Sequence, residues 1–592
     1  MDVSAPLGTG ALNEYLDNIE SESSRATKEY RQDWEELIRW YRGLQWQQKL
    51  PSHRIPFTAN YTNVTVKRLV ALMTDTKPTI DVHSRASGLS ELTGEVLVPA
   101  LRALWDEQGC DQRFAGSVLP LSIITGACGV NIGFDPTVGS LGEISINIVD
   151  PRSMILDPAV TRTVDLDHAE YSGFQTVVSL SRLRQLFPRA AMDVKPDAQV
   201  SRFLDRQQGV GSGIDSPGHR IVAKILRQGA TESYAVPRVR VQEFFIRDTR
   251  TVKEFPKEFQ EHCFERGLTL DDMPWPGGRR IVRAGENKKI LYDGPNRYID
   301  GKTPLVMYDW GLETEHPWGA SEVKLIKSLQ AILNKLGSSI VENAIKMNNN
   351  IWIGDRDALE KREWGELNDA PGLLVKVKPG RTLRRESAPA LPGSVFQMLQ
   401  WIVNTIDMLT GLVDVTQGRR PVGVVSSHAI EALNLSAQAL IRLQTRKFEN
   451  FLERVGQRLI ARIFQFYTSD RIMHQLGPGG KWREFRFERD KLIKHAALLP
   501  DEEGKLVHRP FNYMTDLDLL KFVITPGSSM AITRLQKGQM SMGLYGSGLV
   551  PGVQVLRALE WDDPEGTVQQ ARAEAAAGAT SIGNTKRGRI PA

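Results

Sequence analysis

One stretch sets the terms for the whole chain. Residues 427–468 contain no proline and a single glycine, Gly456, and their apolar positions recur at helical spacing. A continuous helix of that length spans about 60 Å, longer than an ordinary globular domain needs. Asn434, Gln438, Arg442, Gln444, Arg446, Lys447, Arg454 and Arg458 are spread along it. These positions predict a rod buried on one side only, which is stable only against partners.

The remaining composition narrows the classes. A chain of 592 residues, 41% of them hydrophobic, is large enough for several domains and apolar enough to bury a core. Lysine and arginine number 75 against 70 aspartates and glutamates, a net charge of only +5. That excludes a protein that grips nucleic acid over its whole surface and leaves room for local basic patches. Three cysteines, Cys110, Cys128 and Cys263, form neither a metal-ligand spacing nor a complete disulfide set, so a reducing compartment is expected. The opening residues lack the basic start and apolar run of a signal peptide. No apolar run reaches the ~18–20 residues of a membrane span.

Along the chain, residues 13–43 read as an amphipathic helix, 60–75 as a second and 92–109 as a third. From 129 to 180 the pattern turns to strands with Asp-Pro and Gly punctuation, closed by a short helix in SLSRLRQLFP. Strands resume at RVRVQEFFIRD and KKILYDG and end near 310. A helix then runs from Ser321, a good N-cap, to about Met347, with Asn348–Asn350 as its stop. Residues 351–392 form an island too small to fold freely. It reads as a strand (IWIGD), a charged helical turn, a second strand (GLLVKV) and a basic tail, RTLRR. Another helix covers 394–410, and a loop rich in glycine leads into the long helix. The first half is thus an α+β body, and in the second the two shorter helices flanking the island read as a stalk with a tip.

Few residues carry chemistry. Gly294 to Thr303 approximates a phosphate loop but places six residues between its glycines where four are needed, so it reads as a turn. Gly477–Lys481 reads the same way. His428 has no evident partner base or nucleophile, and Asp271, Asp272, Asp355 and Asp357 read as solvated loops or caps. No catalytic residue, cofactor site or metal site is assigned.

The order of segments resembles the portal (head–tail connector) proteins of tailed bacteriophages, closest in style to those of short-tailed phages. WEELIRWYRGLQW followed by TANYTNVTVKRLVALMTDTKPTIDV resembles the start of the family's wing, with its Gly-x-Gln-Trp turn and Asn-rich helix. ILDPAV and DLDHAEYSGFQTVVSLSRLRQLFP resemble a later wing segment. HPWGASEVKLIKSLQAILNKL resembles the helix entering the stem, with Gly319, Ser321, Gln330 and Asn334 at its marked positions. LTGLVDVTQGRRPVGVVSSHAIEALNLSAQALIRL resembles the tunnel loop and the long helix behind it. The resemblance covers residues 30 to 470 and does not reach the last ~120 residues.

That resemblance implies an α+β subunit with a wing body (1–315), a first stem helix (316–348), a clip (349–392), a second stem helix (393–411), a tunnel loop (412–426) and a long wing helix (427–470). A wing return (471–550) and a mainly helical crown with a flexible basic tail (551–592) follow by position. It also implies a ring, usually of twelve copies, at one capsid vertex. Double-stranded DNA passes through it, and its partners are the large terminase subunit, tail adaptor proteins, and major capsid and scaffolding proteins, with no membrane. The expected setting is the virion, after assembly in the host cytoplasm. The alternatives are a nucleic-acid-processing enzyme, such as a nuclease or packaging ATPase, and another ring or adaptor protein of a phage particle.

A conduit lined only with cations would bind DNA too tightly to let it slide, so few, spaced positive charges are expected. Arg419 and Arg420 in the Gly-rich loop are candidate phosphate contacts. Lys324, Lys327, Lys335 and Lys346 on the first stem helix are further candidates, with solvent-facing lysines as the plainer reading. In the clip, Trp352 and Trp364 are candidate anchors, and Arg381, Arg384 and Arg385 a candidate basic edge for partners. A solvated strand end would look the same.

Overall fold

In the computed structural model the described residues are 9–46, 55–74, 80–84, 96–139, 141–197, 237–247, 278–296, 298–348, 351–359, 375–386, 391–412, 439–468, 471–476, 482–489, 498–500, 506–508, 517 and 520–524, with isolated positions up to 555. They mix helix and strand in an α+β arrangement. Two helices, α1 (Thr9–Ala26) and α2 (Lys28–Tyr41), replace the single helix expected over 13–43. The break falls at Thr27, whose hydroxyl donates to Ser23 O at 2.8 Å. Helix α3 (Tyr61–Met73) starts where Asn60 caps the amide of Asn63 at 3.1 Å. Helix α4 (Val98–Glu107) leads through a π turn, Phe114–Val118, into α5 (Leu119–Thr125).

The larger sheet is antiparallel, in the order β4 (Met154–Leu156), β5 (Tyr171–Ser179), β6 (Arg238–Ile246), β7 (Arg279–Ala284) and β8 (Lys289–Pro295). Alternation along β7 assigns its two faces. Ile281 packs with Leu12, Leu16 and Ile19 of α1. Arg283, pointing the same way, clamps α1 through Asp17 and Glu20, both at 2.7 Å. Val282 and Ala284 face the other side, against Leu180 and Leu183 of α6 (Leu180–Leu186). A second sheet has the order β3 (Glu143–Val149), β2 (Ala127–Asp135), β9 (Leu305–Asp309).

Helix α7 (Glu322–Asn348) begins as expected, with Ser321 Oγ accepting from the Lys324 amide at 3.1 Å. A two-stranded ribbon, β10 (Ile351–Gly354) and β11 (Leu383–Glu386), separates it from α8 (Gly393–Leu409). The partner of β10 is therefore the stretch read as a basic tail. Residues 375–377, the described part of the run expected to be the second strand, are not in a strand. The alternating Leu383–Arg384 pattern was hidden by its charge, and apolar GLLV made the louder signal.

The long helix corrects the sequence reading most. Over its described length, α9 (Ala439–Phe466), it packs into the core of its own chain; Leu440, Leu443, Arg446 and Asn450 keep an exposed side on its first part, and from Phe451 on that side closes. Phe448, Phe451, Leu452, Val455, Leu459, Ile460, Ile463 and Phe464 join the main core with residues of α2 to α5 and the second sheet. Of the arginines that suggested a solvated face, Arg454 and Arg458 turn inward, as does Arg462 further along, while Arg446 stays exposed. Arg454 donates to Thr163 O and Met307 O, at 2.9 and 2.8 Å. Arg458 pairs with Asp167 at 2.7 Å. Arg462 is fully buried, pairs with Asp300 at 3.0 Å and lies 3.7 Å over the Tyr298 ring. A charged stripe reads as solvated because the acids that pair it lie up to 291 positions away in the chain. Residues 427–438 lie outside the described residues, as does the expected crown apart from isolated positions.

The single glycine of α9 has a packing reason. A Cβ on Gly456 would sit 2.3 Å from the Phe522 ring of β16 (Leu520–Ile524). That strand pairs with β1 (Ile80–Ser84), closing the C-terminal part of the chain back onto its beginning. Two ribbons lie between α9 and β16 in the chain: β12 (Arg471–Leu476) with β13 (Trp482–Phe487), and β14 (Leu498–Pro500) with β15 (Leu506–His508).

Candidate functional site

The loop Gly294–Thr303 is a turn, and its acid has a structural role, since Asp300 is the buried partner of Arg462. Among the described residues no group of histidine, cysteine, aspartate or glutamate side chains could hold a metal ion. Asp355 accepts from the Thr382 amide and hydroxyl, and Asp357 pairs with Arg381 at 3.8 Å, so both brace the β10–β11 ribbon. The feature left to explain is the hairpin of α7 and α8.

Its inner seam is apolar. Ile326 and Leu333 of α7 pack with Ile402 and Ile406 of α8, flanked by Leu329, Leu336, Leu399 and Val403. One turn away on α7, a polar latch fastens the hairpin to the body. Asn334 Nδ2 donates to Gln45 Oε1, Gln330 Nε2 donates to Asn334 Oδ1 at 2.9 Å, and Gln330 Oε1 accepts from the Tyr61 amide at 3.1 Å. Gln45 donates onward to Asn60 Oδ1 at 3.1 Å, and Asn60 to Tyr41 O at 3.0 Å. Gln330 and Asn334 are buried, so each amide must find a partner, and each does. Below the latch, Gly337 lets Phe57 approach: a Cβ there would meet the ring at 2.2 Å. The Gly-x-Gln-Trp turn, the Asn-rich helix and the stem-helix Gln and Asn, far apart in sequence, thus converge in one cluster.

Among the described residues the outer faces of the hairpin carry exposed apolar side chains. On α8, Trp401 is 60% and Met408 77% exposed, stacked seven residues apart and opposite the seam. On α7, Leu325 and Ile332 repeat the same spacing and are also exposed. Phe396, Met398 and Leu409 enlarge the apolar surface. Large apolar side chains exposed on the faces of one hairpin are what an interaction site carries. The sequence held a signal for it, because the apolar residues of GSVFQMLQWIVNTIDML run around the whole helix, more than one partner helix can cover.

The candidate cations fall in different environments. Lys324 pairs with Asp33 and Lys327 with Glu36 of α2, both at 2.6 Å. Lys335 is exposed with no ion pair among the described residues. Lys346 lies near the end of α7, Trp352 on β10 and Arg385 on β11, the last two opposite each other in register; the side chains of all three are outside the described residues. Arg384 is exposed and reaches Glu386 at 3.4 Å, and Arg381 is exposed beside Asp357. Trp364, Arg419 and Arg420 lie outside the described residues.

The model of the family described as phage P22-like portal protein matches residues 16–497. The chain belongs to that family. It is a phage portal protein, the head–tail connector through which DNA is packaged, and it forms an oligomeric ring at a capsid vertex as a component of the virion. The portal family is structural rather than enzymatic. Among individual curated proteins none matches the chain. The matched span takes in both sheets, the hairpin with its latch, and all of α9. Among the described residues no helix of the portal subunit is long and apolar enough to cross a membrane.

Proposed function

We propose that the α7–α8 hairpin is the stem of the ring and that neighbouring copies meet on its outer faces. The observation carrying this reading is the pair of apolar stripes, Leu325/Ile332 and Trp401/Met408, exposed among the described residues and equally spaced on the two helices of one hairpin. A heterologous contact needs two such complementary faces, and a rotation that closes generates a ring. Helix pairs with seven-residue apolar repeats pack at a shallow angle, as staves do.

On this reading residues 1–315 and 471–550 are the wing, 349–392 the clip and 551–592 the crown, and the ring holds twelve copies. The clip docks the large terminase subunit during packaging and tail adaptors afterwards, with Trp352, Trp364, Arg381, Arg384 and Arg385 as contacts. Major capsid and scaffolding proteins meet the wing. Assembly takes place in the host cytoplasm. Lys335, Lys346, Arg419 and Arg420 serve as brief phosphate contacts for the passing duplex. The ion pairs of Lys324 and Lys327 with Asp33 and Glu36 support a wall of balanced charge, because a paired lysine releases fewer counterions from DNA.

The test is electron microscopy and native mass spectrometry of the purified full chain. The expected result is a flared ring with a central hole, and the loss of rings in Trp401→Glu/Met408→Glu with the subunit still folded by circular dichroism. Intact rings in that double variant would overturn the placement of the contact.

A further inference from the structure

At the base of the hairpin a cavity of 160 Å³ lies between α3, α7, the end of α8 and the start of α9. Its walls are apolar: Leu69, Met73, Leu325, Leu409, Leu440 and Ile441. Two hydrogen-bond acceptors line it as well. Among the described residues the Glu322 carboxylate receives one hydrogen bond, from the Trp310 indole at 3.0 Å, and Gln444 Oε1 is buried with no hydrogen-bond partner. No cation pairs with Glu322 among the described residues. The charges on neighbouring positions are engaged elsewhere: Lys324 with Asp33, Lys447 with Asp309, and Arg68 with Asp407. Burial pushes the Glu322 carboxyl above the ordinary glutamate range, with the Trp310 hydrogen bond pulling the other way. A half-buried carboxylate and an orphan amide oxygen beside one cavity are costly unless a donor completes them.

The rim of this cavity continues into the exposed surface of Leu325, Leu409 and Leu440, next to Met408. We infer that the cavity is a socket for a lysine side chain of the neighbouring copy in the ring. Its four-carbon stem lies along the leucines and its ammonium reaches Glu322 and Gln444. Lysine suits the site better than arginine, because the two acceptors belong to separate side chains on separate helices. They offer a compact point charge its partners but do not form the planar fork that guanidinium favours. The inference rests on the reading of the hairpin faces as the contact between copies.

The experiment uses rings assembled from a mixture of isotopically labelled and unlabelled full-length chains. Carbodiimide coupling, which joins a carboxylate to an amine with no spacer, is followed by mass spectrometry of the digest. The expected product is a Glu322–lysine cross-link bridging labelled and unlabelled copies. Glu322→Gln, which can still accept from Trp310, should weaken ring assembly about 10-fold to 100-fold per contact, the range of a charge-assisted hydrogen bond. Finding no mixed-isotope cross-link at Glu322, or wild-type assembly in Glu322→Gln, would refute the socket even if Trp401→Glu/Met408→Glu abolishes rings. Rings that survive the latter pair of substitutions would refute the reading beneath it.

Discussion

Arg462 offers the sharpest test of how this subunit is held together. It is fully buried on α9, donates to Asp300 Oδ1 at 3.0 Å and to Ile132 O at 3.3 Å, and covers the Tyr298 ring. Replacing it with methionine fills similar volume but leaves Asp300 buried with a weaker partner, Arg458 Nε at 3.8 Å from the other carboxylate oxygen. Removing one member of a buried pair costs about 3–5 kcal/mol. The remaining contact with Arg458 puts Arg462→Met near the lower end of that range. The pH dependence follows from Asp300. Burial pushes its carboxyl up, yet Arg462 and Arg458 together hold it below 3.8. A depressed carboxylate contributes stability above its unfolded value and loses it as pH falls through the folded one. In wild type that contribution is therefore full at neutral pH and fades only below about pH 4. In Arg462→Met much of the depression is gone, so protonating Asp300 relieves the strain. The destabilisation should be largest at pH 7 and shrink on acidification. The assay is urea unfolding of ring-free subunit, followed by tryptophan fluorescence between pH 4 and pH 7. Adding Asp300→Asn should recover at least about 1 kcal/mol, the cost of an uncompensated buried group removed. An unchanged urea midpoint in Arg462→Met, or a double variant no more stable than the single one, would refute the reasoning.

Gly456→Val forces a side chain into the Phe522 ring and should cost about 1–3 kcal/mol in thermal or urea unfolding, with partial rescue by Phe522→Ala. Gln330→Leu with Asn334→Leu strands Gln45 and the Tyr61 amide; hydrogen exchange should speed up in residues 55–61 and in the middle of α7, while the α1–β7 region stays protected. Arg419→Ala with Arg420→Ala should still assemble rings but change packaged genome length or retention, measured by gel analysis of particle DNA; wild-type values for both would remove these residues from the channel.

Much of this protein was legible in its sequence because the signals were local. Ser321 is a capping residue wherever it stands before a helical pattern, and the extents of α3, α7 and α8 follow from apolar spacing and punctuation. The order of those pieces was enough to suggest the portal family, which the family match over residues 16–497 established. The apolar seam of α8 was also present, although its surplus exposed face was readable only as an excess of apolar residues over what one partner needs.

Tertiary structure alone decided where charge goes. Arg454 and Arg458 look like part of a solvated stripe because sequence shows spacing but not the distant partners, Asp167 and the carbonyls of Thr163 and Met307, that make burial tolerable, and nothing local marks Arg462 as the buried partner of Asp300. For the same reason β11 lay hidden in a basic run until Ile351–Gly354 was seen to pair with it. The convergence of Gln45, Asn60, Gln330 and Asn334 on one latch likewise depends on how the chain folds back on itself. Helix boundaries depend on neighbours a few residues away, whereas the energy of a buried charge or amide depends on what stands across from it in space.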